Sequence, residues 1–427
     1  MGIPFTFLHA ADLHLDSPFK SMAKAPEAVR ARLRESTFAA FRNLVDAAKR
    51  EKVDFVVLAG DLYDAADRSL KAQLRLQRGL AELSDGGIEV FAVHGNHDPE
   101  SGRQAMLEPP PGFFAFGSGE VGCLPAHTRE GEVAAHVYGI SYAKAFETDN
   151  LARRFKIKAG APYHIAVLHA NVDGDPSHDN YAPCKLDELA ASGFDYWALG
   201  HVHGRRVLRE YPHVVYPGNL QGRSVRETDG RGAYVVRVSS SGEAELKFLD
   251  VADVLWREAA VSIEGIERED QLKDRLLTAA QELTVGASGR PVVARLRLEG
   301  RGSLHERLAE PPIVEAWLEE LREWIGMPED AEAPWLWLDA LAVRTSAPKS
   351  DALAEEDGFV GELLRIGAAA AAPEGAERSE ALFKEALEPL RKHPTLRSWI
   401  DSRGHEERAE WIRRAMELSA SLLREEE

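Results

Sequence analysis

Cysteine is scarce in this sequence. Only two of the 427 residues are cysteines, Cys123 and Cys184, and neither belongs to a CxxC pair. Disulfide frameworks and zinc knuckles rely on several cysteines at short spacings, so both are disfavoured here. We expect two ordinary reduced thiols, as in a protein of the reducing cytoplasm.

Long apolar runs and an export signal are also missing. No stretch of about 18 or more apolar residues occurs, and the N-terminus lacks the basic and apolar segments of a signal peptide. We therefore predict a cytoplasmic protein with no membrane segment.

Positive charge is in deficit as well. The net charge is -18, of which residues 1–250 contribute -4 and residues 251–427 contribute -14. A strongly basic surface is the usual sign of a nucleic-acid binder, and the chain as a whole lacks one. Any contact with nucleic acid must then depend on local basic patches, on bound metal ions or on a partner subunit.

Short apolar runs alternate with helical patterns from residue 5 to about residue 250. The predicted strands are 5–9, 54–59, 88–93, 133–140, 165–168, 194–199, 214–216 and 233–238. Helices are predicted at 26–49 and 69–84. Strands without polar alternation are buried on both faces, so we predict an α/β domain whose sheets are covered by helices.

The pattern changes near residue 255. Strands at 260–263, 292–298 and 335–343 and helices at 270–283 and about 312–325 predict a small domain of mixed type. An alanine-rich stretch at 367–372 then predicts a helix end and a connector. The helices that follow are rich in Glu and Arg, and the last has an apolar stripe of Trp411, Ile412, Ala415, Met416, Leu422 and Leu423. We predict three segments: an α/β domain at 1–255, an α+β domain at 256–348 and a helical region at 349–427.

Polar side chains follow five of the predicted strands where each strand ends. The segments are Asp12-Leu13-His14, Gly60-Asp61-Leu62-Tyr63-Asp64, Gly95-Asn96-His97-Asp98, His169 and Gly200-His201-Val202-His203. Ligands of α/β sheets bind at the carboxyl ends of the strands, so we expect these groups to converge. A spacing of two, as in Asp12 and His14, places both side chains on one face of an extended chain.

The strand ends supply a mixed set of oxygen and nitrogen donors without thiolate. The set comprises two carboxylates, one amide and four imidazoles: Asp12, Asp61, Asn96, His14, His169, His201 and His203. Such donors suit manganese, iron or zinc. Seven groups exceed what one ion needs if it must also bind substrate. Two metals about 3.5 to 4 Å apart, bridged by a carboxylate, explain the number and serve in-line attack on a phosphorus ester.

In order, these segments match DxH, GDxxD, GNHD, H and GHxH, and the sequence thereby resembles the calcineurin-like metallophosphoesterases. The stretches "HAADLHLD", "LAGDLYD", "VHGNHDP", "LHANVDG", "DYWALGHVH" and "YPGNLQGRS" are similar to its DNA-repair nuclease branch, the SbcD type with its YhaO-like bacterial relatives. The resemblance covers about residues 5–250 and weakens over the last 170 or so residues. It implies a layered α/β fold of two sheets flanked by helices, a smaller α+β capping domain and a helical C-terminal tail.

The resemblance also implies a ligand set for each metal ion. One ion is held by Asp12, His14, Asp61 and His203, and the second by Asp61, Asn96, His169 and His201. Asp61 then bridges the two. We expect two divalent ions, Mn²⁺ first, with Fe²⁺ and Zn²⁺ as alternatives.

Two neighbouring residues are expected to be catalytic. In the family, the position of His97 lies beside the substrate phosphate, where it stabilises the transition state or protonates the leaving oxygen. Asp98 is next to it and is expected to orient that imidazole. At Asp64 the archaeal and eukaryotic nucleases carry a histidine, so we assign Asp64 to the substrate side and leave its action open.

Several cationic and polar residues near the motifs have two interpretations. Arg205 and Arg223 are candidates for gripping phosphate oxygens, with surface solvation as the alternative. Loop residues His178, Asp179 and Tyr181 either face the substrate or cap their own loop. His9 and His94 are interpreted as packing or supporting residues.

Three functions are compatible with this sequence. The first is a two-metal DNA exonuclease or endonuclease of DNA repair that works with an SbcC-like coiled-coil ATPase, against which the C-terminal helices would dock. The second is a phosphodiesterase for small molecules or nucleotides, and the third a catalytically weak scaffold for an ATPase. A homodimer is also compatible with the resemblance.

Overall fold

The computed structural model describes residues 2–19, 22–64, 69–102, 107–228, 230–326, 330–348 and 358–424. The chain forms two compact units. The first comprises residues 1–259, 280–295 and 322–340, and the second comprises 260–279, 296–321 and 341–427. The predicted three-part division at 255 and 348 stays a prediction.

Two six-stranded sheets form most of the first unit. The strands of the first sheet are β1 (Phe5–Ala10), β2 (Phe55–Ala59), β3 (Glu89–Val93), β4 (Phe113–Ala115), β11 (Gly232–Val238) and β12 (Ala244–Asp250). Their order is β12-β11-β1-β2-β3-β4. Strands β1 to β4 are parallel, and β11 and β12 extend the sheet in antiparallel pairings.

The second sheet is also mixed. Its strands are β5 (Gly122–His127), β6 (Val133–Gly139), β7 (His164–His169), β8 (Tyr196–Gly200), β9 (Arg206–Glu210) and β10 (His213–Tyr216). Their order is β5-β6-β7-β8-β10-β9. The four central strands are parallel, and the two edge strands pair antiparallel.

Both faces of each sheet are covered, which explains the continuous apolar strands. Phe7 of β1 points to the core between the sheets, where it meets Tyr196 of β8. Its neighbour Leu8 points the other way, to the core beneath the first two helices. Trp197 of β8 lies in a third core, on the outer face of the second sheet. The predicted fold of two sheets flanked by helices is confirmed.

The helices of this unit follow the predicted signals. Helix α1 (Glu27–Arg50) begins after Pro26, and α2 (Leu70–Asp85) begins at Ser69, whose side chain accepts a hydrogen bond from the backbone of Ala72. A short helix α3 (Leu186–Ala190) precedes β8. Apolar residues of α1 and α2 such as Phe41 and Leu76 pack on the first sheet.

A third sheet has the order β13-β14-β15. Its strands are β13 (Leu255–Ser262), β14 (Val292–Arg301) and β15 (Leu336–Ser346). The helices between them are α4 (Glu269–Glu282), α5 (His305–Leu308) and α6 (Pro311–Ile325).

The C-terminal part of the second unit is helical, as predicted. Its helices are α7 (Phe359–Ala371), α8 (Ala376–Ala386), α9 (Glu388–Arg391), α10 (Pro394–Asp401) and α11 (His405–Arg424). The alanine-rich stretch ends α7 just before Pro373. Phe383, Ile400 and Ile412 form a small core that includes Ala370. The side chains of Leu422 and Leu423 lie outside the described residues.

Four strands were not predicted from the apolar pattern: β4, β5, β9 and β12. All four are edge strands of their sheets. Because an edge strand is partly open to solvent, its sequence lacks a continuous apolar run, as in "RVLRE" of β9. Among the described residues, no helix combines the length and apolar character needed to cross a bilayer.

Candidate metal centre

The predicted ligands lie at the carboxyl ends of five strands from the two facing sheets. Asp12 and Asp61 follow β1 and β2, and their loops run side by side, with the backbone N–H of Asp12 donating to the carbonyl of Gly60 at 3.0 Å. Asn96 follows β3, His169 ends β7, and His201 and His203 follow β8. Because the two sheets pack face to face, these ends meet in one place.

The backbone at this place is held in an unusual conformation. The φ angles of Asp12, His14, Asp61 and His201 are +52°, +42°, +51° and +100°. Non-glycine residues rarely adopt positive φ, and each such residue costs about 1–3 kcal/mol. The fold therefore accepts strain at four of the seven predicted ligands in order to aim their side chains inward.

Two glycines make room for these side chains. A Cβ atom at Gly95 would lie 2.3 Å from Oδ1 of Asp61 and 2.8 Å from the ring of His169. At Gly200 it would lie 1.9 Å from the carbonyl oxygen of Ala59. The glycines of the GNHD and GHVH segments are thus required by close approach.

The first group of donors is Asp12, His14 and His203, whose ligand atoms lie within 4.8 Å of one another. Nδ1 of His14 donates to the carboxylate of Asp64 at 2.9 Å, and Nδ1 of His203 donates to that of Glu227 at 2.8 Å. Carboxylate oxygens only accept, and burial lowers the pKa of both His14 and His203, so the two imidazoles are neutral and their Nε2 atoms carry lone pairs. These two Nε2 atoms are 3.2 Å apart.

The second group contains His169, Asn96 and His201. Nδ1 of His169 donates to the carbonyl of Ala59 at 2.9 Å, so its Nε2 carries a lone pair. That Nε2 lies 3.0 Å from Oδ1 of Asn96, which is also 3.2 Å from Nδ1 of His201. Nε2 of His201 donates to the carbonyl of Asp179 at 2.7 Å, which leaves its Nδ1 as an acceptor too.

Asp61 lies between the two groups. Its Oδ2 is 3.6 Å from Nε2 of His14 and 3.4 Å from Nε2 of His169. Burial raises the pKa of Asp61 to about 7, and burial together with the charge of Asp61 raises the pKa of Asp12. Both carboxylates are thus buried side by side, where negative charge is costly without a cation.

These observations test whether the residues suit metal ions. Burial lowers the pKa of His169 and His203 to about 4 and that of His201 to about 3, so these imidazoles are neutral. Neutral imidazole lone pairs and carboxylate oxygens facing one another repel, and divalent cations convert that repulsion into coordination. The donor set therefore fits a metal centre.

His97 lies beside this set and faces solvent. Its side chain is 44% exposed, and its Nδ1 is 2.8 Å from Oδ1 of Asp64. Burial disfavours its charge, but the hydrogen bond to Asp64 and the charge of Asp61 raise the pKa of His97 to about 9. A protonated imidazole is thus held at the mouth of the centre.

The prediction that Asp98 orients the imidazole of His97 is wrong. Its carboxylate accepts from the backbone N–H groups of Asp61, Leu62 and Gly95, at 3.1, 3.1 and 2.7 Å, and pairs with Nδ1 of His94 at 3.0 Å. Asp98 is buried and ties the GDLYD loop to the GNHD loop. Asp64 is the carboxylate that contacts His97, so His94 and Asp98 support the loops and Asp64 supports the imidazole.

The predicted arginines separate into two kinds. Arg223 lies at the centre, with Nη1 donating to Ser17 at 3.0 Å and Nη2 3.3 Å from Nδ1 of His203. The guanidinium of Arg205 lies 4.0 Å from the ring centroid of Phe248 in β12. Its contact with phosphate oxygens stays a prediction.

The sequence analysis missed Glu227 and left the role of the 176–181 loop undecided. Glu227 pairs with His203, and the hydrogen bond to that imidazole lowers the pKa of Glu227 although burial opposes it. Its position in "RSVRE" offered no signal of this contact. The 176–181 loop forms one wall of a cleft of about 330 Å³ over the ligands, lined by Asp61, Asn96, His97, Pro176, Ser177, His178, Asp179, Tyr181, His201 and His203.

Comparison with known proteins agrees with this geometry. Residues 5–205 match the model of the calcineurin-like phosphoesterases, and residues 256–346 match that of the middle domain of metallophosphoesterase YhaO. The chain is 39% identical over 403 residues to metallophosphoesterase YhaO of Bacillus subtilis, covering 94% of each chain.

More distant relatives include a DNA repair protein and a nuclease subunit. The chain is 28% identical over 253 residues to the DNA double-strand break repair protein Mre11 of Aeropyrum pernix, covering 56% of this chain and 59% of that protein. It is 26% identical over 279 residues to the SbcD component of the nuclease SbcCD of Escherichia coli, covering 56% of this chain and 66% of that protein.

The likeness to YhaO extends over nearly the full length of both chains, and the converging ligands lie inside the matched phosphoesterase segment. Members of this family hydrolyse phosphoesters at a dinuclear metal centre. The chain belongs to the calcineurin-like metallophosphoesterase family.

Proposed function

We propose that this metallophosphoesterase is a DNA nuclease, an exonuclease or endonuclease, that hydrolyses phosphodiester bonds in DNA repair. The observation that carries the proposal is the pair of donor groups joined at Asp61 beneath an open cleft. Two distant relatives, one named as a DNA double-strand break repair protein and one as a nuclease subunit, support DNA as the substrate. Two unpaired cysteines fit an activity in the cytoplasm.

Each group of donors would hold one metal ion. We assign the first ion to Asp12, His14, Asp61 and His203, and the second to Asp61, Asn96, His169 and His201. We propose Mn²⁺ for both sites, with Fe²⁺ and Zn²⁺ as alternatives. When bound, the ions supply a water of lowered pKa and neutralise the phosphate charge.

The protein residues around the ions position the substrate and move a proton. Asp64 accepts from Nδ1 of His97, so Nε2 of that imidazolium is free to donate to a phosphate oxygen or to the departing oxygen. Arg223 supplies positive charge beside His203 that suits a second phosphate oxygen.

Net charge is the main argument for the alternative, a phosphodiesterase of small molecules or nucleotides. A chain with a net charge of -18 repels the DNA backbone unless metal ions and a partner offset that charge. The catalytic segment carries only -4 of this charge, because the acidity lies mainly in residues 251–427. The small net charge of the catalytic segment is therefore compatible with DNA binding at the cleft.

An ATPase partner of the SbcC type belongs to this proposal. The C-terminal helices expose apolar side chains in an acidic region, among them Phe359 at 73%, Leu418 at 62% and Leu390 at 50%. An amphipathic surface of this kind suits docking to a coiled coil. Co-elution of the full chain with such an ATPase, lost in Leu390→Asp and retained in a Glu388→Gln control, would support the assignment. A homodimer stays a prediction.

The nuclease proposal is tested with purified protein and labelled duplex and single-stranded DNA, in Mn²⁺ and in Mg²⁺. We expect wild type to degrade DNA in Mn²⁺ and Asp61→Asn to be inactive. Cyclic nucleotides form the third arm. Wild type that leaves both DNAs intact yet hydrolyses cyclic nucleotides would establish the alternative.

A further inference from the structure

The aromatic ring of Phe146 is exposed to solvent at the edge of the metal centre. Phe146 is 75% exposed, and its ring lies 5.9 Å from that of Tyr181 at an interplanar angle of 83°. Tyr181 lines the cleft, and its ring lies 5.8 Å from that of His201. Two aromatic contacts thus lead from a predicted metal ligand to an open aromatic face.

The segment that carries this ring is held at several points. The backbone N–H of Tyr142 donates to the carbonyl of His94 at 3.0 Å, and that of Glu100 donates to the carbonyl of Tyr142 at 2.9 Å. On the other side of Phe146, the N–H of Ala182 donates to the carbonyl of Glu147 at 2.8 Å. Phe146 is therefore anchored between the loop of His97 and the loop that forms the cleft wall.

A single exposed phenylalanine is ordinary on a protein surface, so a functional role has to be argued from where the residue lies. Tyr211 is equally open, at 73%, but it lies in the turn between β9 and β10, before the start of the strand rather than at the ligand edge. Phe146 instead combines an open ring, fixed supports and a neighbour that lines the cleft. Near it Lys144 is exposed, and no acidic group in the described part of the chain pairs with it.

The exposed ring of Phe146 contacts Tyr181, which lines the cleft proposed to bind phosphate. An aromatic ring beside a phosphate site suits a nucleotide, which has both a base and a phosphate. Nucleobases stack on aromatic side chains regardless of sequence, and a nearby cation suits the backbone phosphate. A paired base inside a duplex has no free face to offer. We propose that Phe146 stacks on the base of a nucleotide next to the scissile phosphate, so that the enzyme takes strands whose bases near the cut are unpaired.

This inference rests on the proposed nuclease function and names its substrate class. The test uses the full chain with Mn²⁺ and a labelled single-stranded oligonucleotide, in wild type, Phe146→Ala, Phe146→Tyr and Tyr211→Ala. Loss of one stacked base reduces kcat/KM by about 5- to 100-fold in Phe146→Ala. We expect Phe146→Tyr to restore the rate, because it keeps the aromatic face, and Tyr211→Ala to match wild type.

Abasic substitution locates the stacked base. Oligonucleotides that lack one base at successive positions from the cut should reveal a position where wild type falls to the rate of Phe146→Ala, while Phe146→Ala itself loses nothing more. Thermal midpoints within a degree or two of wild type would show that the variants are folded.

The outcomes separate the two proposals. Wild type that degrades DNA at the same rate as Phe146→Ala on every substrate overturns the stacking role and leaves the nuclease function standing. Wild type that degrades no DNA overturns both. Non-additive loss from base removal and Phe146→Ala supports the stacking role.

Discussion

One carboxylate oxygen joins His14 to His97. Oδ1 of Asp64 lies 2.9 Å from Nδ1 of His14, a predicted metal ligand, and 2.8 Å from Nδ1 of His97, the predicted proton donor. Asp64 is buried, so this charge is little screened by solvent. The same atom thus orients a predicted ligand and the imidazole that we predict to be catalytic, a role that the sequence left open.

We expect Asp64→Asn to lower kcat by about 10- to 100-fold, because the support of His14 and the charge opposite His97 are both lost. The sign of the pH effect follows from the pKa of His97, which Asp64 helps to raise to about 9. Without that charge the pKa falls, and His97 loses its proton at a lower pH. The alkaline limb of the kcat profile should therefore move to lower pH.

The measurement is a pH profile of kcat on a phosphodiester substrate, with Asp173→Asn as control because Asp173 lies in an exposed position and pairs with Lys185. An alkaline limb that stays in place in Asp64→Asn would contradict the coupling of Asp64 to His97.

The pair of Asp98 and His94 should contribute to stability rather than to turnover. His94→Gln removes a hydrogen bond to a buried carboxylate, and we expect the free energy of unfolding to fall by about 1.5–3 kcal/mol near pH 5.5. Urea denaturation of the full chain measures it, with His213→Gln, a half-buried residue of β10, as control.

The pH dependence of this effect has a defined window. Burial opposes both charges, but the ion pair raises the pKa of His94, and the same pair together with backbone N–H groups lowers the pKa of Asp98. The histidine contribution is full below its unfolded value of about 6.5 and is lost as pH rises through the folded pKa. The aspartate contribution is full above about 3.9 and is lost as pH falls through the folded pKa. A difference between wild type and His94→Gln that grows from pH 5.5 to pH 9 would refute this assignment.

Glu227 should act on metal affinity. Its carboxylate fixes the tautomer of His203, so that Nε2 keeps its lone pair for the metal. We expect Glu227→Gln to bind Mn²⁺ about 10- to 100-fold more weakly. Calorimetric titration of the metal-free protein measures this, and Glu210→Gln in the exposed strand β9 is the matched control. Equal affinity in wild type and Glu227→Gln would rule out the role.

The predicted ligands were readable from sequence because each ends an apolar strand or follows one within four residues. Asp12, Asp61 and His169 are of this kind. The order of the first sheet sets Asp12 beside Asp61, and the packing of the two sheets brings His169 to them. The supporting carboxylates were not readable, because Asp64 and Glu227 meet their imidazoles across loops that only the fold aligns. Asp98 was misassigned because it neighbours His97 in sequence, whereas its side chain turns to backbone N–H groups that a buried loop must satisfy. Edge strands were missed for a related reason, since their partners and not their composition define them.

His97 and Asp61 should separate turnover from metal binding. His97 lies outside both proposed ligand groups and is partly exposed, so we expect His97→Ala to lose at least about 100-fold in kcat while retaining two Mn²⁺ per chain. Asp61 touches both groups through Oδ2, so Asp61→Asn should lose metal as well as activity. Metal content after gel filtration in Mn²⁺ distinguishes them. His127→Ala is a control of equal chemistry, because His127 lies in the edge strand β5 of the second sheet and pairs with Glu89 of β3. His97→Ala stripped of its ions would place that imidazole among the ligands, which the cluster of His14, Asp64 and His97 would then explain.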